Sequence, residues 1–169
     1  MISLNSYITE KFQVSKDYKR QYAYQPKTKG ELIDCIIEKT NKEGFGTKDK
    51  PLDLNDIDTS KITDMSYLFY GSDNYRLCNL SKNGNFDISD WDVSNVTNME
   101  AMFYNSNFDG DISEWNVSNV KNMEYMFTFS QFTGKNGDIS NWDISNVKNM
   151  YAIFYNCQLE DNPPKWYNK

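Results

Sequence analysis

One phrase of seventeen residues occurs three times with few changes. DISDWDVSNVTNMEAMF begins at Asp87, DISEWNVSNVKNMEYMF at Asp111 and DISNWDISNVKNMYAIF at Asp138. A diverged copy, DLNDIDTSKITDMSYLF, begins at Asp53, and a broken one, NPPKWYNK, begins at Asn162. The four tryptophans of the chain, Trp91, Trp115, Trp142 and Trp166, occupy one column, with spacings of 24, 27 and 24 residues. Self-similarity at such a period is the signature of an array whose units cannot bury their apolar faces alone.

Each copy reads in two halves. Trp91 and Val93 alternate with Asp90 and Asp92, the period of a half-buried strand. Val96, Met99, Met102 and Phe103 then fall at helical spacing, with Ser94 and Asn95 placed to cap a short helix. The same columns recur as Val120, Met123, Met126 and Phe127, as Val147, Met150, Ile153 and Phe154, and earlier as Ile62, Met65, Leu68 and Phe69. The expectation is an α/β fold: a leucine-rich-repeat-like solenoid of strand-turn-helix units with a parallel sheet along one side. Strands are expected at about 54–58, 88–93, 112–117 and 139–144. Six of the seven methionines lie in the repeated columns, where an adaptable side chain fills gaps between imperfect copies.

Residues 1–50 are read as a small helical N-terminal cap and residues 51–169 as the repeat body. Leu4, Tyr7, Ile8 and Phe12 suit a first amphipathic helix. Thr28 and Glu31 form a capping box ahead of Leu32, Cys35 and Ile36, and that helix should end near Gly44. The repeat body runs through copies starting near 53, 87, 111 and 138 to the partial copy at 162. Pro163 and Pro164 suit a unit that stops the array.

Several chemistries are disfavoured. The chain has no histidine, which removes histidine-based nucleophilic and acid–base catalysis and histidine metal sites. Cys35, Cys78 and Cys157 are odd in number and contain no CxxC pair, which argues against a disulfide framework or a zinc site. No glycine-rich phosphate loop appears. The loops Asn107 to Asp111 and Gly134 to Asp138 hold calcium-type side chains but no EF-hand pattern. No cofactor is expected, and the chain is expected not to be an enzyme. It shows no signal peptide and no apolar run long enough to cross a bilayer, so a cytoplasmic location is expected.

The phrase WDVSNVTNMEAMFYNSNFDGDISEW resembles the BspA-like leucine-rich repeats of bacterial surface proteins, mycoplasma lipoproteins and phage or prophage genes. The resemblance spans about Asp53 to Trp166. It implies an interaction or adhesion module rather than an enzyme. The opening ISLNSYITEKFQVSKD is similar to short leading segments on tailed-phage proteins, which implies a leaderless form acting inside a host cell.

Charge suggests where a partner would bind. Residues 86–162 hold three Lys/Arg against twelve Asp/Glu, a net of −9, whereas the whole chain carries −6. If Trp91 and Val93 face inward, Asp90 and Asp92 face outward. The matching positions are Asp56 and Asp58, Glu114 and Asn116, and Asn141 and Asp143. Neighbouring strands lie about 4.8 Å apart, so these residues would form two close columns of carboxylates and amides. The expected partner is a protein with a basic surface, for example a nucleic-acid-binding defence protein that such a module would inhibit. Direct nucleic-acid binding is not expected from so acidic a body, nor is membrane binding. The alternative is a surface or virion adhesion module whose leader or anchor lies elsewhere.

Overall fold

The structure, a computed structural model, describes residues 21–167. The helix expected around Leu4 to Phe12 lies outside the described residues. The second expected helix is present as α1 (Lys29–Glu43). Thr28 Oγ1 accepts the Glu31 N–H at 3.2 Å, and the Glu31 carboxylate accepts the Lys27 N–H at 2.7 Å. Gly44 ends the helix at φ 83°, a conformation that glycine adopts without strain. Leu32 and Ile36 on α1 are fully buried in the common core.

The repeated copies do not form strand-turn-helix units, and the expected leucine-rich-repeat-like solenoid with a parallel sheet is not what this chain builds. Among the described residues the sheet consists of β1 (Leu52–Asp53) paired in parallel with β2 (Phe86–Asp87). The second helix, α2 (Cys78–Asn83), lies in the insertion between the first two copies, not within a copy. Residues 139–141, expected in a strand, make a single 3-10 turn, Ile139–Asn141. The rest of each copy is a succession of tight turns.

Backbone hydrogen bonding explains the difference. In the second copy the N–H groups of Met99, Ala101, Phe103 and Asn105 leave their own segment. They donate to the carbonyls of Asn122, Glu124, Met126 and Thr128 at 2.8–2.9 Å. The first copy does the same from Met65, Tyr67, Phe69 and Gly71, and the third from Met123, Tyr125, Phe127 and Phe129. The intervening amides close four-residue turns, such as Met102 N–H to the Met99 carbonyl and Tyr104 N–H to the Ala101 carbonyl. An amide committed to the neighbouring copy cannot bond four residues back, so no helix forms. These turns still bring Val96, Met99 and Met102 inward, which is why their spacing imitates a helix.

This path requires left-handed residues. Ala101 (φ 50°) and Asn105 (φ 53°) take that conformation in the second copy, and Tyr125 (φ 56°) and Phe129 (φ 58°) in the third. Side-chain columns then fill the interior. Phe69, Phe103, Phe127 and Phe154 stack with centroids 5.6–5.9 Å apart, and Phe86 stacks on Phe108 at 4.8 Å. Trp91, Trp115 and Trp142 are buried. The indole N–H groups of all four tryptophans donate to Leu54, Ile88, Ile112 and Ile139 carbonyls, each in the copy before. A buried indole needs such a partner.

Candidate protein-binding surface

The columns of Asp and Asn are first of all turn formers. In every copy three of them accept, through Oδ1, the backbone N–H two residues ahead. Asp53, Asp87, Asp111 and Asp138 form one such column, at 2.8–2.9 Å. Asp58, Asp92, Asn116 and Asp143 form the second, at 2.9–3.2 Å. Asp64, Asn98, Asn122 and Asn149 form the third, at 2.9–3.1 Å. Short side chains with an acceptor at this reach fix a turn, which is the physical reason these positions hold Asp or Asn.

The eight residues proposed from the sequence therefore divide. Asp90, Glu114 and Asn141 are exposed. Asp92, Asn116 and Asp143 are also exposed, each with one oxygen held by a turn and the rest of the side chain toward solvent. Asp58 is half-buried in its own turn. Asp56 belongs to the fold: its Oδ2 lies 2.9 Å from Lys39 Nζ, and that lysine is only 5% exposed. Hydrogen bonds from Ser145 and Ser140 hold the carboxyls of Asp143 and Asp138 below the usual carboxylate range.

A second surface was not anticipated. Glu100 and Glu124, each two residues after an asparagine of the third column, are half-buried and bonded. Glu100 accepts the Tyr67 hydroxyl and, at 3.2 Å, the Asn122 amide; Glu124 accepts the Asn149 amide at 2.8 Å. Tyr67 also packs on Tyr70, which belongs to a chain of rings crossing all four copies. Tyr75 meets Tyr70 (4.4 Å), Tyr70 stacks on Tyr104 (4.7 Å), Tyr104 meets Phe129 edge-on (5.5 Å), and Phe129 meets Tyr155 (5.6 Å). Tyr125 and Tyr151 pair at 5.5 Å. Phe129, Tyr155 and Tyr151 are 38%, 55% and 66% exposed. The signal was available in the sequence as the aromatic share of 15%, but the helical reading sent several of these rings to arbitrary faces.

The loops with calcium-type side chains are tied to one another instead. Asp109 accepts the N–H and hydroxyl of Thr133, and Asn136 donates to the Asp109 carbonyl. Among the described residues no group of three His, Cys, Asp or Glu side chains is placed to hold a metal ion. All three cysteines are free, and burial pushes the Cys157 thiol up to about 11. No helix among the described residues is long and apolar enough to cross a membrane.

The molecule is thus a repeat-built chain whose copies are joined by a backbone ladder, with exposed carboxylates at its turns and a row of rings along the ladder. A family model matches residues 40–166, and the chain belongs to that family, described as Mycoplasma protein of unknown function, DUF285. No curated protein and no solved structure matches it.

Proposed function

We propose that the chain is a non-enzymatic binding module for a protein with a basic surface, of the kind that otherwise holds nucleic acid. The observation that carries this is the exposed set Asp90, Asp92, Glu114 and Asp143, lying in a body with a net charge of −9. Turn formation uses one oxygen of Asp92 and Asp143 but leaves their charge in place. Clustered carboxylates repel one another, and a cationic partner relieves that repulsion while the field speeds its approach. The likeness of the repeats to BspA-like interaction modules supports the same reading, with action inside a host cell and inhibition by occupying a nucleic-acid groove.

The test compares the wild-type chain with the variant Asp90→Asn, Asp92→Asn, Glu114→Gln, Asp143→Asn as bait for basic host proteins. The wild type should retain them at low salt, release them as salt rises, and compete with added nucleic acid. The variant should keep its circular dichroism and lose most of that retention. Equal retention by both chains, or none by either, would sink the proposal.

A further inference from the structure

Three aromatic residues occupy left-handed backbone positions where their counterparts are small or polar. Tyr67 (φ 58°) and Tyr125 (φ 56°) share a column with Ala101 and Ala152, and Phe129 (φ 58°) shares one with Asn105 and Asn156. A bulky side chain in that conformation is strained, whereas Asn adopts it readily. Core packing does not account for Phe129, which is 38% exposed. Strain of this sort, held by the surrounding ladder, points to a role at the surface.

Phe129 lies in the aromatic chain, Tyr67 packs on it, and Tyr125 pairs with Tyr151. Tyr125 meets Tyr151, Phe129 links Tyr104 to Tyr155, and Tyr67 packs on Tyr70 at 5.5 Å while donating its hydroxyl to Glu100. Among the described residues neither carboxylate has an ion-pair partner; the salt bridges there join Lys29 with Asp64, Lys39 with Glu43 and Asp56, and Arg76 with Asp34. Carboxylates without a cation, one of them bonded to Tyr67 of this row of electron-rich rings, form a surface suited to a delocalised planar cation. Guanidinium stacks on aromatic rings and bonds carboxylates from the same flat fork, which a lysine ammonium does not do.

We propose that the face formed by Tyr67, Tyr104, Tyr125, Phe129 and Tyr155 around Glu100 and Glu124 is the contact surface for arginine side chains of the partner protein. This rests on the protein-binding reading above and narrows it, from any basic surface to one rich in arginine.

The probes are oligo-arginine and oligo-lysine peptides of equal length and a soluble β-glucan, each titrated calorimetrically into the full chain. The wild type should bind oligo-arginine about tenfold more tightly than oligo-lysine, the sum of two or three stacked contacts. The variant Phe129→Asn with Tyr155→Ser should bind both peptides alike. Phe129→Asn restores the residue found in the neighbouring copies, so its melting temperature should hold or rise. Should the pair fail to fold, Phe129→Asn alone, at a side chain 38% exposed, gives the same comparison with a smaller loss. Equal binding of the two peptides, unchanged in the aromatic variant, overturns the arginine surface and leaves the acidic reading standing. Binding of neither peptide overturns both. Binding of β-glucan with no arginine preference replaces the protein partner with a carbohydrate.

Discussion

The indole N–H of Trp115 donates to the carbonyl of Ile88, 3.2 Å away in the preceding copy. The same carbonyl accepts the Trp91 backbone N–H at 3.1 Å, so it joins a turn within one copy to a side chain of the next. Trp115 is 4% exposed and fills the space between two copies.

Trp115→Ala should therefore cost about 3–5 kcal/mol, the range for deleting a large buried aromatic. Trp115→Phe keeps most of the volume and leaves Ile88 one donor, so it should cost only about 1 kcal/mol beyond the lost area. Trp166 makes the same bond to Ile139 at 2.7 Å but is half-buried at the end of the row, and Trp166→Ala should cost less than Trp115→Ala. Chemical denaturation of the three variants checks the order. Equal losses at Trp115 and Trp166 would contradict it.

The copies, their tryptophan column and helix α1 were legible because each leaves a mark of residue type: a ring at fixed spacing, or Thr28 with Glu31 and Gly44. The path within a copy was not. Apolar residues at Val96, Met99 and Met102 are three apart whether a helix or a run of tight turns brings them inward. What distinguishes the two is the destination of the Met99 and Ala101 amides, a property of the neighbouring copy. The Asp and Asn columns carried the missing signal. Their three columns in each copy mark turns, and reading them only as charge hid it. The pairing of Asp56 was hidden for another reason: its partner Lys39 comes from α1, seventeen residues earlier, with no local pattern to announce it.

Lys39 gives the next prediction. It lies 2.9 Å from Asp56 and 3.3 Å from Glu43. Burial pulls its pKa down, but the two carboxylates outweigh this and hold it above the usual lysine value. A raised pKa gives stability that is full below the unfolded value, about 10.4, and lost as pH rises through the folded one. Lys39→Met leaves Asp56 without its partner and should cost about 1–3 kcal/mol at neutral pH. The difference from wild type should shrink in strongly alkaline solution, as followed by urea titrations at several pH values.

Asp143 predicts the opposite pH dependence. Its carboxyl is held below the usual range by Ser145, so the linked stability is present above the ordinary value, about 3.9, and fades as pH falls through the lowered one. Asp143→Asn keeps the Oδ1 acceptor, as Asn116 does at the matching position. The variant lacks the charge, so it should be slightly weaker than the wild type at pH 7 and converge on it in acid, whereas Asp143→Ala should be weaker at both. Thermal melts across the acid range check this.

The ladder itself makes the sharpest prediction. Met99, Ala101 and Phe103 donate to the next copy, as do Met123, Tyr125 and Phe127. The equivalent amides of the last copy, Met150, Ala152 and Phe154, have no hydrogen-bond acceptor among the described residues, while Asn156 N–H is held by the Glu160 carboxylate at 2.7 Å. Exchange of a paired amide requires the copies to part, whereas an unpaired one needs no opening at all. Hydrogen exchange followed by NMR should find Met99, Ala101, Phe103, Met123, Tyr125 and Phe127 protected to nearly the global stability. Met150, Ala152 and Phe154 should exchange orders of magnitude faster, although Phe154 has its ring as deeply buried as Phe127. A helix over each MEAMF-type segment would instead protect the last residues of every segment and leave the first ones fast, in all copies alike. The pattern of slow alternate amides, lost only in the last copy, separates the two architectures in one experiment.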